Sequence, residues 1–127
     1  MPDRRQRLLV VDQDLEYCLR IEDYFADRYD VVTVQQYTQV KATCTASSRP
    51  DLILMNVDLN HGCGFEICRD LKSDESTLSI PVFLLTQNYC EADEIKGLDY
   101  GASDFLCQSV SNIILSARIK THLQLAR

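Results

Sequence analysis

The chain has 127 residues, of which 46% are hydrophobic and 25% are charged, and its formal net charge is −6. This length fits one domain built around one hydrophobic core and leaves no room for a second domain. The acidic balance disfavours nucleic acids and anionic membrane surfaces as partners of this chain, and it favours proteins or cations.

The N-terminal residues 1–7 are basic, but the first apolar block covers only residues 8–11 before Asp12. Such a block is too short to be the core of a signal peptide or a membrane span. We therefore expect the chain to stay in the cytoplasm.

Apolar blocks of strand length recur along the chain. Because these blocks are continuous rather than alternating, they predict strands buried on both faces of a parallel sheet. Pro50 and Pro81 mark the entries of the third and fourth strands. The predicted strands cover residues 8–11, 31–34, 52–55, 80–85 and 105–106.

Helical spacing of apolar residues appears between the predicted strands. Gly101 stands where the fourth helix should stop, because glycine is common directly after a helix end. The apolar stripes comprise Cys18, Ile21 and Phe25 after the first strand; Phe65, Cys68 and Leu71 after Gly64; and Val110, Ile113, Ile114 and Ala117 near the C-terminus.

Strand and helix alternate five times, which predicts a doubly wound α/β domain with a parallel sheet and right-handed crossovers. In such sheets, ligands bind at the carboxyl ends of the strands. Asp12, Asn56 and Thr86 lie at three of those ends, and Gln108 follows the last strand. We expect these four side chains to converge on one crevice.

Six cysteines do not indicate a disulfide framework, because a chain of this length can build its own core. The sequence lacks a Cys-x-x-Cys pair, and free cysteine mostly behaves as a small buried hydrophobe. Cys63, just before the third helix, is the best candidate for a reactive thiol. The cysteines are Cys18, Cys44, Cys63, Cys68, Cys90 and Cys107.

Five stretches of the chain resemble the receiver domain of two-component response regulators, and the resemblance runs from about Arg7 to Leu125. It implies a flavodoxin-like (βα)5 fold with strand order 2-1-3-4-5. It also implies a role in phosphorelay signal transduction in bacteria. The stretches are residues 8–14 (LLVVDQD), 50–56 (PDLILMN), 64–72 (GFEICRDLK), 80–86 (IPVFLLT) and 97–106 (GLDYGASDFL).

Receivers of this family accept a phosphoryl group from a histidine kinase on an aspartate after the third strand, where this chain has Asn56. The lone pair of an asparagine amide is delocalised, so it offers no nucleophile comparable to a carboxylate. The resemblance therefore implies a pseudo-receiver that is not phosphorylated at Asn56 and is not an enzyme.

The acidic pair that holds Mg²⁺ in the family is also altered. Asp12 matches one member, whereas Gln13 stands in the position of the other. With one carboxylate, and with Asp58 offering its backbone carbonyl, we expect no cofactor or only weak Mg²⁺ binding at Asp12. The alternative role for residues 12–14 is to cap the first helix, which suits Asp14 and Glu16.

Gln108 replaces the lysine that follows the fifth strand in active receivers. A glutamine there can hydrogen-bond to neighbouring amides, whereas a lysine would be a poorly paired charge. A chain engineered at position 56 alone would keep the family's residues at positions 13 and 108. Because Gln13 and Gln108 also depart from the family, the three departures together indicate a natural pseudo-receiver.

Two switch residues of the family have counterparts here: Thr86 matches the hydroxyl residue after the fourth strand, and Phe105 matches the aromatic residue of the fifth. Packing alone also accounts for both, since threonine can cap the following loop and phenylalanine can belong to the core.

The resemblance implies contacts with a histidine kinase, an output domain or a second copy through the face of the fourth helix, fifth strand and fifth helix. In the last helix, the row of Val110, Ile113 and Ala117 should pack on the sheet. The second row, Leu115, Ile119 and Leu123, suggests an interface or a continuation into an output module. We expect residues 1–127 to form one receiver-like domain, and the resemblance of residues 118–127 to receivers joined to a C-terminal output module favours an N-terminal fragment of a longer protein.

Two other functions fit the same fold. Phosphotransfer could shift to Asp58 or Asp12, although Asp58 lies beyond the strand end, where its side chain need not face the crevice. Alternatively, the crevice or a cysteine could sense a small molecule or a redox change, although residues 12–14 would repel a flavin phosphate.

Overall fold

The computed structural model describes residues 5–45, 47, 49–59 and 62–125. Within these residues the chain forms a parallel sheet of five strands. The strands are β1 (Arg7–Val11), β2 (Asp30–Val34), β3 (Leu52–Asn56), β4 (Val82–Thr86) and β5 (Asp104–Cys107).

Helices connect successive strands. The helix α1 begins after Asp14, whose carboxylate accepts hydrogen bonds from the backbone N–H groups of Glu16 and Tyr17. A short 3₁₀ turn, Tyr37–Gln39, leads into the second helix. The helices are α1 (Leu15–Phe25), α2 (Val40–Thr45), α3 (Gly64–Lys72), α4 (Glu91–Asp99) and α5 (Asn112–Leu125).

The strand order is β2-β1-β3-β4-β5, and every neighbouring pair in this sheet is parallel. The register places Val11 opposite both Val34 and Met55, and Thr86 opposite Cys107. The predicted flavodoxin-like fold and strand order are therefore confirmed. This register also brings the carboxyl ends of β1, β3, β4 and β5 to one edge of the sheet.

Both faces of the sheet are covered, because side chains alternate between the faces along each strand. On one face, Leu8 and Val10 pack with α1 and α5. On the other face, Leu9 and Val11 pack with α2 and α3. The predicted stripes of α1 (Cys18, Ile21, Phe25) and of α3 (Phe65, Cys68, Leu71) are buried in these two clusters.

The prediction for α5 is wrong in its choice of row. Leu115, Ile119 and Leu123 are 1%, 0% and 4% exposed and pack on the sheet. Of the predicted row, Val110 precedes the helix and packs partly buried against the core, whereas Ile113 is 73% exposed and Ala117 is also exposed. Both rows are apolar at helical spacing, so periodicity could not distinguish them, and only the packing of α5 against the sheet shows which row faces inward.

Two strand details differ from the prediction. The strand β4 begins at Val82 rather than at Ile80, because Pro81 has no N–H for the ladder and contributes only its carbonyl, which accepts from the N–H of Ile53. A small antiparallel ladder pairs Asp58–Leu59 with Gly62–Cys63, and its strands are too short for a sequence pattern to indicate them.

The fourth helix stops where expected. The N–H of Tyr100 closes the last turn on the carbonyl of Lys96, and Gly101 then adopts a φ of 103°. This left-handed conformation favours glycine, which is why Gly101 ends the helix. None of the helices in the described ranges combines the length and apolarity that a membrane span requires.

Candidate functional site

The candidate site is a crevice at the carboxyl edge of the sheet. Asp12 directly follows β1, Asn56 and Thr86 end β3 and β4, and Gln108 directly follows β5. All four residues are buried, with exposures of 1%, 7%, 2% and 8%. Buried polar groups need hydrogen-bond partners, so the bonds that join Asp12, Asn56 and Gln108 define the site.

The carboxylate of Asp12 lies at the centre of a hydrogen-bonded network. Its Oδ2 accepts from Nε2 of Gln108 at 2.7 Å and from Nδ2 of Asn56 at 3.2 Å. Its Oδ1 accepts from the backbone N–H of Asp14 at 2.9 Å. Gln108 therefore bonds to a carboxylate, and not to a neighbouring amide as expected, because Asp12 is the acceptor within its reach.

The amide of Asn56 is held from both ends. Its Oδ1 accepts the backbone N–H of Asp58 at 2.8 Å, so its nitrogen is directed at Asp12. The backbone carbonyl of Asn56 accepts from the hydroxyl of Tyr37 at 2.7 Å. Asn56 thus links β1, the turn after β3 and the turn before α2.

Burial raises the pKa of Asp12 above its ordinary value of 3.8, because the charged form loses its solvation. The N–H of Asp14 and the amides of Asn56 and Gln108 act in the opposite direction, since they donate to the charged form. The two side-chain amides therefore partly replace the cationic partners that a buried carboxylate normally needs.

The other acidic and amide candidates are more exposed than the four crevice residues. Gln13 and Asp58 are exposed, and Asp58 contributes its backbone N–H to Asn56. Asp14 caps α1 with its carboxylate, at 3.0 Å from the N–H of Glu16. The capping role therefore applies to Asp14, whereas Asp12 belongs to the crevice.

The observed arrangement does not suit Mg²⁺, which prefers several oxygen ligands and usually more than one carboxylate. Asp12 is the single carboxylate in the network, and amide nitrogens of Asn56 and Gln108 are directed at its Oδ2. A cation bound to Oδ2 would compete with both donors. Within the described residues, no cluster of three or more His, Cys, Asp or Glu side chains is placed to hold a metal.

Thr86 and Phe105 lie beside the network, in adjacent strands. The hydroxyl of Thr86 accepts the backbone N–H of Asn88 at 3.1 Å, which caps the loop after β4. Phe105 is 3% exposed, and its ring stacks on that of Phe65 with centroids 6.2 Å apart. A Cβ at Gly97 would lie 2.9 Å from the Phe105 ring, so the glycine allows α4 to approach this ring.

The cysteines are free within the described residues. Burial raises the pKa of the thiols of Cys18, Cys44 and Cys68 to about 11, so they are poor nucleophiles at neutral pH. Cys107 is different, because the hydroxyl and backbone N–H of Ser109 hydrogen-bond to its sulfur and lower its pKa. The candidate chosen from the sequence, Cys63, is partly exposed.

Two residues near the crevice were missed by sequence reasoning. Tyr37 reaches the Asn56 carbonyl from the turn before α2, and Arg20 donates to the Gln108 carbonyl at 3.4 Å from α1. Neither has a local pattern that marks it, since each contact joins residues far apart in sequence. Only the assembled sheet places them together.

Comparison with known proteins agrees with this geometry. The family model of the response regulator receiver domain matches residues 8–120. The chain is 38% identical over 117 residues to the response regulator PleD of Caulobacter vibrioides, covering 91% of this chain and 25% of PleD. It is 30% identical over 125 residues to the DNA-binding response regulator MtrA of Mycobacterium tuberculosis, covering 98% of this chain and 53% of MtrA.

Solved receiver structures share the fold. The BeF3-activated receiver domain of Klebsiella pneumoniae RstA superposes with a TM-score of 0.84 and 28% identity, covering 93% of this chain and 98% of that one. The signal receiver domain of a Luxo repressor protein from Vibrio parahaemolyticus gives a TM-score of 0.88 at 21% identity, covering 97% and 93%. The chain thus spans nearly all of these receivers, but only part of the length of the curated relatives.

Proposed function

The chain belongs to the response regulator receiver domain family, and we propose that it conveys signals by protein contact without phosphorylation at Asn56. The observation that carries this proposal is the network in which the amides of Asn56 and Gln108 both donate to Asp12. The position of the family's acceptor carboxylate is filled by a hydrogen-bond donor. The carboxylate of Asp12 and the side-chain amides of Asn56 and Gln108 are therefore already hydrogen-bonded to one another.

The chemistry of the amide supports this proposal. Acyl phosphate formation needs a carboxylate oxygen to attack phosphorus, and Asn56 has none. Its one side-chain oxygen already accepts from the N–H of Asp58. The Asp12 carboxylate is buried and bonded on both oxygens, so it is poorly placed to serve as a substitute acceptor.

The same network supports weak or absent Mg²⁺ binding. A divalent cation at Oδ2 of Asp12 would compete with two hydrogen bonds to charged oxygen, each contributing roughly 1.5–3 kcal/mol. It would gain one carboxylate ligand in return. We therefore propose that the resting state of the crevice is free of metal and is held by amides.

We propose that partners bind the face formed by α4, β5 and α5. Both helices carry exposed apolar side chains, Ile95 and Leu98 on α4 and Ile113 and Ile114 on α5, each between 46% and 73% exposed. Exposed apolar side chains of this size favour protein contact when a partner covers them. The partner classes are a histidine kinase, an output domain or a second copy, and the chain itself acts as a signalling module rather than an enzyme.

The test is intact mass spectrometry after incubation with Mg²⁺ and acetyl phosphate. Wild type is compared with Asn56→Asp and with Asn56→Asp/Gln13→Asp/Gln108→Lys. We expect wild type to keep its mass and the triple variant to gain one phosphoryl group, because it regains the acceptor, the acidic pair and the lysine.

Phosphorylation of wild type would contradict the proposal and would indicate a shifted acceptor. Asp58→Asn and Asp12→Asn variants would then identify it, since the exposed Asp58 and the buried Asp12 differ in access. If neither wild type nor the triple variant gains mass, the crevice differs from family crevices by more than these three residues.

A further inference from the structure

A groove between α2 and α3 lies outside the crevice and has no role in the function proposed above. It is an open groove with a volume of about 610 Å³. One wall comes from the turn before α2 and from α2 itself, and the other from α3 and the residues that follow it.

The floor of the groove is apolar. Tyr37, Val40 and Leu71 line it and are 7%, 1% and 3% exposed, and Ile67 adds a partly buried side chain. These side chains belong to the hydrophobic core on this face of the sheet, so the floor is held by packing. An occupant with an apolar body would remove the remaining exposed surface from water.

The rim of the groove is acidic. Asp70, Asp74 and Glu75 line it together with one cation, Lys41. The Lys41 ammonium lies 3.0 Å from the Asp74 carboxylate and neutralises that one carboxylate. Within the described residues, Asp70 and Glu75 form no ion pair, so the rim keeps a negative charge that would favour a cationic group.

One bond joins the groove to the crevice. The Tyr37 ring lines the groove, and its hydroxyl donates to the backbone carbonyl of Asn56 at 2.7 Å. The start of α3 closes around this bond, since a Cβ at Gly64 would lie 2.8 Å from the same carbonyl oxygen and 3.1 Å from the Tyr37 hydroxyl. A displacement of Tyr37 would therefore be transmitted to the residue that donates to Asp12.

We propose that this groove binds a small amphipathic cation, with its apolar body on the floor and its ammonium or guanidinium group at the rim, and that Tyr37 transmits its binding to Asn56. The site gives the crevice an input that needs no phosphoryl transfer. The proposal does not depend on whether Asn56 accepts phosphate, since it rests on the groove and on one backbone hydrogen bond.

The test compares two probes of similar shape and opposite charge, 4-phenylbutylamine and 4-phenylbutyrate, titrated into the full chain and followed by amide NMR. For a fragment of this size, we expect the amine to bind with a dissociation constant on the order of 1 mM. It should shift the amides of Val40, Lys41 and Leu71, and also those of Asn56 and Val57. Equal responses to both probes, or no response to the amine, would contradict the proposal that the groove binds an amphipathic cation.

Charge variants test the rim. Asp70→Asn/Glu75→Gln should weaken binding of the amine by about two- to tenfold, because exposed charge pairs each contribute little. The control, Glu16→Gln/Asp23→Asn, makes the same change in net charge on exposed residues of α1 and should leave the affinity unchanged. Equal weakening in both would show a nonspecific charge effect and contradict the site.

Tyr37→Phe tests the transmission separately from binding. It keeps the aromatic floor but removes the hydroxyl that reaches Asn56, so the amine should still shift Val40 and Leu71 and no longer shift Asn56. A persisting shift at Asn56 would show that another route connects the two sites. The phosphodonor experiment is unaffected by either outcome, so failure of this proposal and failure of the proposed function can be told apart.

Discussion

At the scale of single residues, Asp12 is the group on which the crevice depends. It is 1% exposed and carries a charge that burial disfavours, and three N–H donors compensate for that cost. Asn56 and Gln108 are both neutral donors, and their side-chain amides stabilise the buried carboxylate through hydrogen bonds.

Replacing Gln108 with methionine tests this role, because the two side chains are similar in size and methionine cannot donate. At neutral pH we expect Gln108→Met to lower the free energy of unfolding by roughly 1.5–3 kcal/mol, the usual contribution of a hydrogen bond to a charged group. Urea denaturation measures this loss. Gln87→Met is the matched control, since Gln87 is an exposed glutamine of the same region and its change should stay within about 0.5 kcal/mol.

The pH dependence of this loss has a definite sign. The pKa of Asp12 is raised in the folded state above 3.8, so its ionisation destabilises the fold as pH rises through the folded pKa. Removing the Gln108 donor raises the folded-state pKa of Asp12 further. As pH rises through this pKa, Gln108→Met should therefore lose more stability than wild type. Well below pH 3.8, Asp12 is protonated in the folded and the unfolded state, so the stability difference between wild type and Gln108→Met should shrink to that of a neutral hydrogen bond. A difference that is constant with pH would show that Gln108 acts through packing alone.

At the scale of elements, α5 shows how orientation selects one of two apolar rows. Ile119 is fully buried against the sheet, whereas Ile113 is 73% exposed on the same helix. Arg118, on the side of β5, forms an ion pair with Asp104 at 3.0 Å, which links the exposed side of α5 to the edge strand. The row that contains Ile113 is exposed and can contact a partner. The row that contains Ile119, which periodicity suggested as the interface, is buried.

Two identical truncations on α5 test this assignment. Ile119→Ala should cost about 2–5 kcal/mol of stability, because it leaves a cavity in the core. Ile113→Ala should change stability by no more than about 0.5 kcal/mol. Thermal or urea unfolding of both variants gives the comparison. Similar losses in the two variants would place Ile113 in the core and restore the original choice of row.

At the scale of the whole molecule, two hydrophobic clusters share one sheet, so their stabilities should be coupled. Cys18 reports on the cluster under α1 and α5, whereas Cys44 and Cys68 report on the cluster under α2 and α3. All three thiols are buried with a pKa of about 11. Each should therefore react only when its cluster opens.

Thiol labelling with iodoacetamide at mildly alkaline pH tests this coupling. We expect the exposed Cys90 and the thiol of Cys107, whose pKa is lowered, to react first. Cys18, Cys44 and Cys68 should react later and at one common rate, because a single sheet unfolds cooperatively. Peptide mass mapping over time measures the rates, and urea supplies the fully labelled control. Earlier labelling of Cys44 and Cys68 than of Cys18 would show that the two faces open independently.

Much of the fold followed from local patterns. Continuous apolar blocks and helical stripes indicated the strands, their order in the chain and the stop at Gly101, because strand and helix periodicities differ. The residues at the strand ends could be named before their contacts were known. The roles of Thr86 and Phe105 stay predictions, since their packing alone explains the positions that they occupy.

The sequence by itself determined which chemical groups the crevice contains: one carboxylate at Asp12, and amides at Asn56 and Gln108. The tertiary structure decided how they bond, that Gln13 and Asp58 are exposed, and that Tyr37 reaches Asn56. It also decided which face of α5 is buried. The physical reason is that composition and periodicity are local properties of the chain, whereas these contacts join residues 19 to 96 positions apart and depend on the register of the assembled sheet.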